Sequence, residues 1–131
     1  MEKEFIPYEQ ALELKELGFN ENCLARFDGS GFRMLPVYDP LKNNEVKESW
    51  FCVTPLYQQA FRFFREEYNM LPTIYSNASG WRFEYHDNEG GTHRYDSGYT
   101  GDCEMSGAFT SYEKAELACL KKLIEICSKL K

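Results

Sequence analysis

A chain of 131 residues, 43% hydrophobic and 16% aromatic, has the composition of a core-forming domain, which excludes disorder and removes any need for disulfide staples. Its formal net charge is −6, carried as 6 basic and 10 acidic groups in residues 1–53 and 9 and 11 in residues 54–131. Neither part has the basic excess that drives phosphate binding by counterion release.

Five cysteines (Cys23, Cys52, Cys103, Cys119 and Cys127), odd in number and without a C-x-x-C pair, read as thiols of a reducing cytosol. With no apolar leader after Met1 and no run near the roughly 18 apolar residues of a membrane span, a cytoplasmic location is expected.

In chain order, PYEQALELKEL (residues 7–17) predicts a first helix, with Pro7 near its first position and Gly18 as a left-handed C-cap. Tyr8, Ala11, Leu12, Leu14 and Leu17 make its apolar arc broad. Residues 23–28 and 32–38 read as strands joined by Asp28-Gly29-Ser30-Gly31, a hairpin turn of residues that accept positive φ. The polar stretch 39–48 reads as a surface loop, and SWFCV (49–53) as a short buried strand.

TPLYQQAFRFFREEYN (54–69) is the clearest helix. Tyr57, Ala60, Phe61, Phe64 and Tyr68 fall on one stripe flanked by Leu56 and Phe63, opposite Gln58, Gln59, Arg62, Arg65, Glu66 and Asn69. Thr54 suits the N-cap, Pro55 the first helical position, and Asn69 followed by Pro72 the exit.

Residues 73–76 then predict a short strand and 77–80 a turn, ahead of a hairpin of 81–86 with 92–97. With Asn88-Glu89-Gly90 as a three-residue loop, Tyr85 faces His93, Phe83 faces Tyr95 and Trp81 faces Ser97. Glu84 meets Arg94 and Arg82 meets Asp96 on the other face.

After a Gly-rich stretch, 99–109, Thr110 and Glu113 have capping-box spacing at the start of a last helix running from 111 to about 130. Its stripe of Tyr112, Ala115, Cys119, Leu123, Ile126 and Leu130 is widened to about 200° by Leu117, Leu120, Ile124 and Cys127, so two sides are covered. Glu116 lies inside that arc, as a first-turn acid or as the buried partner of an arginine.

These elements predict an α+β fold: antiparallel sheets packed against three helices in a single domain, 1–131. Residues 7–69 and 54–130 each run helix, strands, helix, a plan that suits a pseudo-repeat sharing the central helix.

Over nearly its whole length the chain resembles short uncharacterised proteins encoded by bacterial genomes and prophages. The residues concerned are Ile6-Pro7-Tyr8-Glu9 with Ala11, Leu14 and Gly18-Phe19; Gln59-Ala60-Phe61-Arg62 with Phe64-Arg65-Glu66; and Ser111-Tyr112-Glu113 with Ala115 to Leu120. That resemblance implies no activity. Residues 54–130 are similar in element order to the double-stranded RNA-binding domain, with Lys114-Ala115, Ala118 and Leu123 resembling its Ala-rich last helix. The lysine clamp of that family is missing, since Tyr112, Glu113 and Glu116 occupy the corresponding positions. Asn77-Ala78-Ser79-Gly80 also lacks the family's loop histidine, so the resemblance implies a fold more than RNA binding.

His86, His93, Asp87, Asp96, Asp102 and Cys103 crowd into one hairpin and the loop after it. In the expected register the two histidines point to opposite sheet faces, so no shared metal is expected, and Cys103 with His93 is a remote nucleophile pair. The glycines at 90, 91, 98, 101 and 107 match no nucleotide-binding motif. Lys121, Lys122, Lys129 and Lys131 sit where cations favour the last helix's dipole. Gln58, Gln59, Arg62 and Arg65 on the central helix, with Lys114 and Lys121 on the last, are the candidate contacts for a partner or RNA.

The expected function is a non-enzymatic accessory or protein-interaction module of a phage or other mobile element, without cofactor or metal. A protein partner or a homo-oligomer is expected, nucleic acid is disfavoured and no membrane is involved. RNA binding is the alternative, and a small hydrolase or metal-binding enzyme the third.

Overall fold

Pro7 holds φ at −66° and has no amide to leave unpaired, so the chain turns into its first helix directly after it: α1 spans Tyr8–Glu16. It ends as Gly18 suggested. Gly18 takes φ +96°, its amide donates to Lys15 O, and that of Phe19 donates to Leu14 O. These bonds form a Schellman cap whose apolar clasp is Phe19 against Leu14, 1% and 0% exposed.

The computed structural model describes residues 2–78, 80–87, 93–96 and 108–130. The chain divides into two compact units, Met1–Ala60 and Phe61–Leu130.

In the first unit, β1 (Ala25–Asp28) and β2 (Gly31–Met34) form the expected hairpin, with Asp28 paired to Gly31 and Phe27 to Phe32. The turn is closed by the Ser30 amide donating to Asp28 Oδ1 at 2.7 Å, and Gly31 supplies φ +98°. The second strand stops at Met34 rather than Tyr38; Pro36 follows, and Val37 and Tyr38 stand 81% and 90% exposed.

The strand expected over 49–53 shrinks to β3, Cys52–Val53, which pairs antiparallel with β1 in a sheet of order β2-β1-β3. Thr54 is not a helix cap. It is fully buried, and its hydroxyl donates to Ile6 O at 2.7 Å, while the Ile6 amide donates to Pro55 O.

The loop over 39–48 also departs from expectation. Residues Asn43–Glu45 form a 3₁₀ turn, and Asn43 is 6% exposed. Its Nδ2 donates to Phe19 O at 2.9 Å and its Oδ1 accepts from the Val53 amide at 3.1 Å. One side-chain amide therefore satisfies two buried backbone groups that no strand reaches.

Helix α2 runs Tyr57–Tyr68, and Asn69 at φ +56° ends it. Phe61, Phe63 and Phe64 are 8%, 5% and 0% exposed. Phe63 therefore belongs to the buried face rather than its margin, with its ring 5.4 Å from Phe64 and 5.9 Å from Tyr68. Leu56, expected to flank the stripe, lies before the helix, 40% exposed, and bridges Phe5.

The second unit continues through β4 (Met70–Asn77), β5 (Gly80–Asp87), β6 (His93–Asp96) and α3 (Tyr112–Lys129), the expected order of helix, three strands and helix. The sheet order is β4-β5-β6, antiparallel throughout. β4 is twice the expected length and pairs with β5 along its whole run, Met70 with Asp87 through Asn77 with Gly80.

The β5–β6 register differs from expectation. Glu84 faces Asp96, Tyr85 faces Tyr95 and His86 faces His93, with an irregularity between Tyr85 and His86. A bulge adds a residue to one strand, and the expected pairs Glu84–Arg94 and Arg82–Asp96 do not form across the ladder.

Helix α3 packs on β4 and β5 and buries Ala115, Cys119, Leu120, Leu123, Ile124 and Cys127. Its cap is Ser111, whose hydroxyl accepts from the Lys114 amide, and not Thr110. Phe109 pairs with Trp81 by reciprocal backbone bonds of 3.0 and 2.7 Å. Gly80 allows this approach, because a Cβ there would sit 2.8 Å from Phe109 O.

Candidate interaction surface

In the first unit, aromatic rings continue from the core to the surface. Phe5 lies 5.5 Å from Phe32, Phe32 lies 5.7 Å from Phe27, and Phe27 takes Tyr8 edge-on at 5.4 Å. Phe5 and Phe27 are buried, whereas Tyr8 is 37% exposed. The Tyr8 hydroxyl donates to Trp50 O at 2.7 Å, fixing the backbone of a tryptophan that is itself 51% exposed. The Trp50 ring lies over the hairpin turn, 3.7 Å from where a Gly29 Cβ would be.

Basic groups of the same unit are committed to nearby partners. Lys15 Nζ donates to Glu48 O at 2.9 Å and Phe51 O at 2.6 Å, so its charge is spent on the backbone that carries Trp50. Arg26 stands 5.2 Å from the Phe51 ring centroid, a cation–π placement. Arg26 and Arg33 share Asp28 at 3.2 and 3.5 Å. The exposed Trp50 and the partly exposed Tyr8 are of the residue types that dominate binding hot spots, while Arg26 and Arg33, successive to the Phe27–Phe32 pair, lie on the other face of the sheet. Trp50 falls inside the stretch that periodicity assigns to a buried strand. The available signal is that tryptophan is seldom fully buried.

Of the six residues expected to touch a partner or RNA, two lie in the first unit and four in the second. In the first unit, Gln58 is exposed, while Gln59 is committed to Glu21 Oε1 and Asn22 O. In the second, Arg62 and Arg65 lie on the exposed side of α2, and Arg62 is 3.9 Å from Glu66. Lys114 and Lys121 are exposed on α3. Lys114 follows Glu113, and Glu125 draws in Lys122 and Lys129.

The Glu116 side chain hydrogen-bonds Tyr112, and burial together with that carboxylate raises the Tyr112 pKa. Tyr112 also meets Trp81 edge-on at 5.3 Å. The residue inside the apolar arc is thus joined to a tyrosine.

Burial pushes the thiols of Cys52 and Cys127 up to about 11 and that of Cys23 up to about 12, and raises Cys119 as well. Such thiols are poor nucleophiles. His86 and His93 are direct backbone partners in the ladder, where the expected register paired His93 with Tyr85. Among the described residues no group of three His, Cys, Asp or Glu side chains is placed to hold a metal. Cys103 and Asp102, together with the expected loop over 88–90, lie outside the described residues. Among the described residues no helix is long and apolar enough to cross a membrane.

No family model, curated protein or solved structure matches the chain.

Proposed function

We propose that this chain is a non-enzymatic protein-interaction module of a phage or another mobile element, acting in the cytoplasm, and that it binds its partner through the aromatic surface around Trp50. The observation that carries the proposal is Trp50 itself, half-exposed while its backbone is held by Tyr8 and its flanks by Lys15. A backbone already held in place has less conformational freedom to lose when the ring it carries is bound, which favours an aromatic anchor at such a position. The biological setting rests on the resemblance to prophage-encoded proteins, and the burial that raises the thiols of Cys23, Cys52, Cys119 and Cys127 favours binding over nucleophilic chemistry at them.

RNA binding takes support from the order of α2, three strands and α3. Against it stands the first turn of α3, where Glu113 and Glu116 flank Lys114. Duplex RNA affinity at physiological salt is expected to be no better than nonspecific, about 10⁻⁴ M.

The test is co-purification from the native host with the wild-type chain and with Trp50→Ala, the fold of each checked by circular dichroism. A protein held by the wild type and lost from the folded variant is the expected result. A partner held equally by both removes Trp50 from the interface, and micromolar duplex RNA binding lost on Arg62→Glu with Lys114→Glu replaces the proposal with the RNA-binding alternative.

A further inference from the structure

Edge strands normally carry charges or bulges that discourage pairing with another chain. β4 is an edge of its sheet, and among the described residues β5 is its only strand partner. Its eight residues, MLPTIYSN, include no Asp, Glu, Lys or Arg, in a chain that is 27% charged.

The direction in which its backbone groups point can be worked out. Pro72 pairs with Tyr85 within the ladder and has no amide to give, so position 72 must turn its nitrogen away from β5. The two-residue connection at the other end agrees, because Asn77 and Gly80 close the hairpin as a bonded pair. Positions 71, 73, 75 and 77 therefore bond β5, while the N–H and C=O groups of Met70, Ile74 and Ser76 point outward, with only the C=O at Pro72.

The other described strand pairings of the unit lie on the far side of β5. β6 pairs there, and Phe109 bonds Trp81, whose other neighbour is Ser76 of β4.

We infer that a second copy of this chain pairs antiparallel with β4, joining two three-stranded sheets across a two-fold axis at Tyr75. The inference is independent of the Trp50 surface. In this register Ile74 and Ser76 of opposite copies exchange both their N–H···O bonds, and the symmetry repeats the exchange. Pro72, which has nothing to donate, stays outside the paired stretch. Thr73 faces Asn77 of the other copy, and both positions are exposed in the single chain. The second copy is favoured over an unrelated strand because the register is self-complementary: no charge meets its own image, and every outward donor between 73 and 77 finds an acceptor.

Sedimentation velocity over a concentration series tests the pairing on the full chain. The wild type is expected to form a dimer. Ser76→Pro removes an outward donor at an exposed position without touching the β5 ladder, and is expected to weaken the dimer at least about tenfold. Thr73→Lys with Asn77→Lys sets like charges opposite each other and should do the same, whereas Thr73→Lys with Asn77→Asp should restore association. Amide exchange gives an independent check, since Ile74 and Ser76 should become protected as concentration rises. A wild-type chain that stays monomeric overturns the inference, and so does a dimer that survives Ser76→Pro and the double lysine variant with both folded. Failure here leaves Trp50 binding untouched, because that binding is measured with a different partner and variant.

Discussion

Replacing Asn43 tests the most consequential polar contact in the first unit. The side chain is 6% exposed and serves two buried backbone groups, Phe19 O at 2.9 Å and the Val53 amide at 3.1 Å. Asn43→Ala leaves both without partners, and an orphaned buried group costs about 1–3 kcal/mol, so the two together cost about 2–6 kcal/mol. That is a large fraction of a stability of about 5–15 kcal/mol.

Asn43→Asp separates the two bonds. It keeps the acceptor for Val53 but puts a carboxylate oxygen against the Phe19 carbonyl, so at neutral pH it should be at least as damaging as alanine. Burial would raise the folded pKa of this new carboxyl above its unfolded value. Its folded state would then bind the proton more tightly, and the variant should regain stability as pH falls through the carboxyl range. Urea denaturation followed by circular dichroism at neutral and acidic pH measures both effects. An alanine variant within about 0.5 kcal/mol of wild type would overturn the anchoring role. An aspartate variant milder than alanine at neutral pH would refute the expected carboxylate–carbonyl repulsion at Phe19.

Phe64→Ala and Phe63→Ala should each cost about 3–5 kcal/mol in the same assay, against less than about 1 for the 40%-exposed Leu56→Ala. A Phe63→Ala variant cheaper than Leu56→Ala would return Phe63 to the margin of α2. Ser111→Ala should lose about 1 kcal/mol and Thr110→Ala much less, and the reverse order would move the α3 cap. Because burial raises the thiols of Cys23, Cys52 and Cys127 from 9.0 to between about 11 and about 12, the stability they contribute is complete below pH 9 and falls as pH climbs toward those values. Denaturation midpoints across that range check the sign. Native-state alkylation at pH 8 should leave these three thiols and Cys119 unmodified, and rapid labelling of Cys23 would contradict its burial.

Features that rest on local chemistry are legible in the sequence. Pro7 and Gly18 bound α1, Asp28-Gly29-Ser30-Gly31 makes the first hairpin, and the 3.6-residue rhythm marks α2 and α3, because each depends on neighbours a few residues away. What is not legible depends on distant partners. Nothing in an Asn/Lys-rich stretch shows that one asparagine will reach Phe19 and Val53, and Thr54 has the residue type and spacing of a cap until Ile6 arrives beside it.

The expected β5–β6 register rests on a three-residue loop at 88–90, an aromatic face and two ion pairs, and pairs worth a few tenths of a kcal/mol are too little to hold a ladder against a bulge. The candidate surface was hidden for a related reason. SWFCV is apolar throughout, and only the tertiary fold turns Trp50 outward while burying Cys52 and Val53.

Lys15 and Tyr8 reach the segment that carries Trp50 only through main-chain carbonyls, at Glu48, Phe51 and Trp50. Every residue type presents that same oxygen, so the hold does not depend on which side chains stand at positions 48–50. Those side chains are free to change while the backbone path beneath them persists, and selection can retune what the segment touches without first having to rebuild its support.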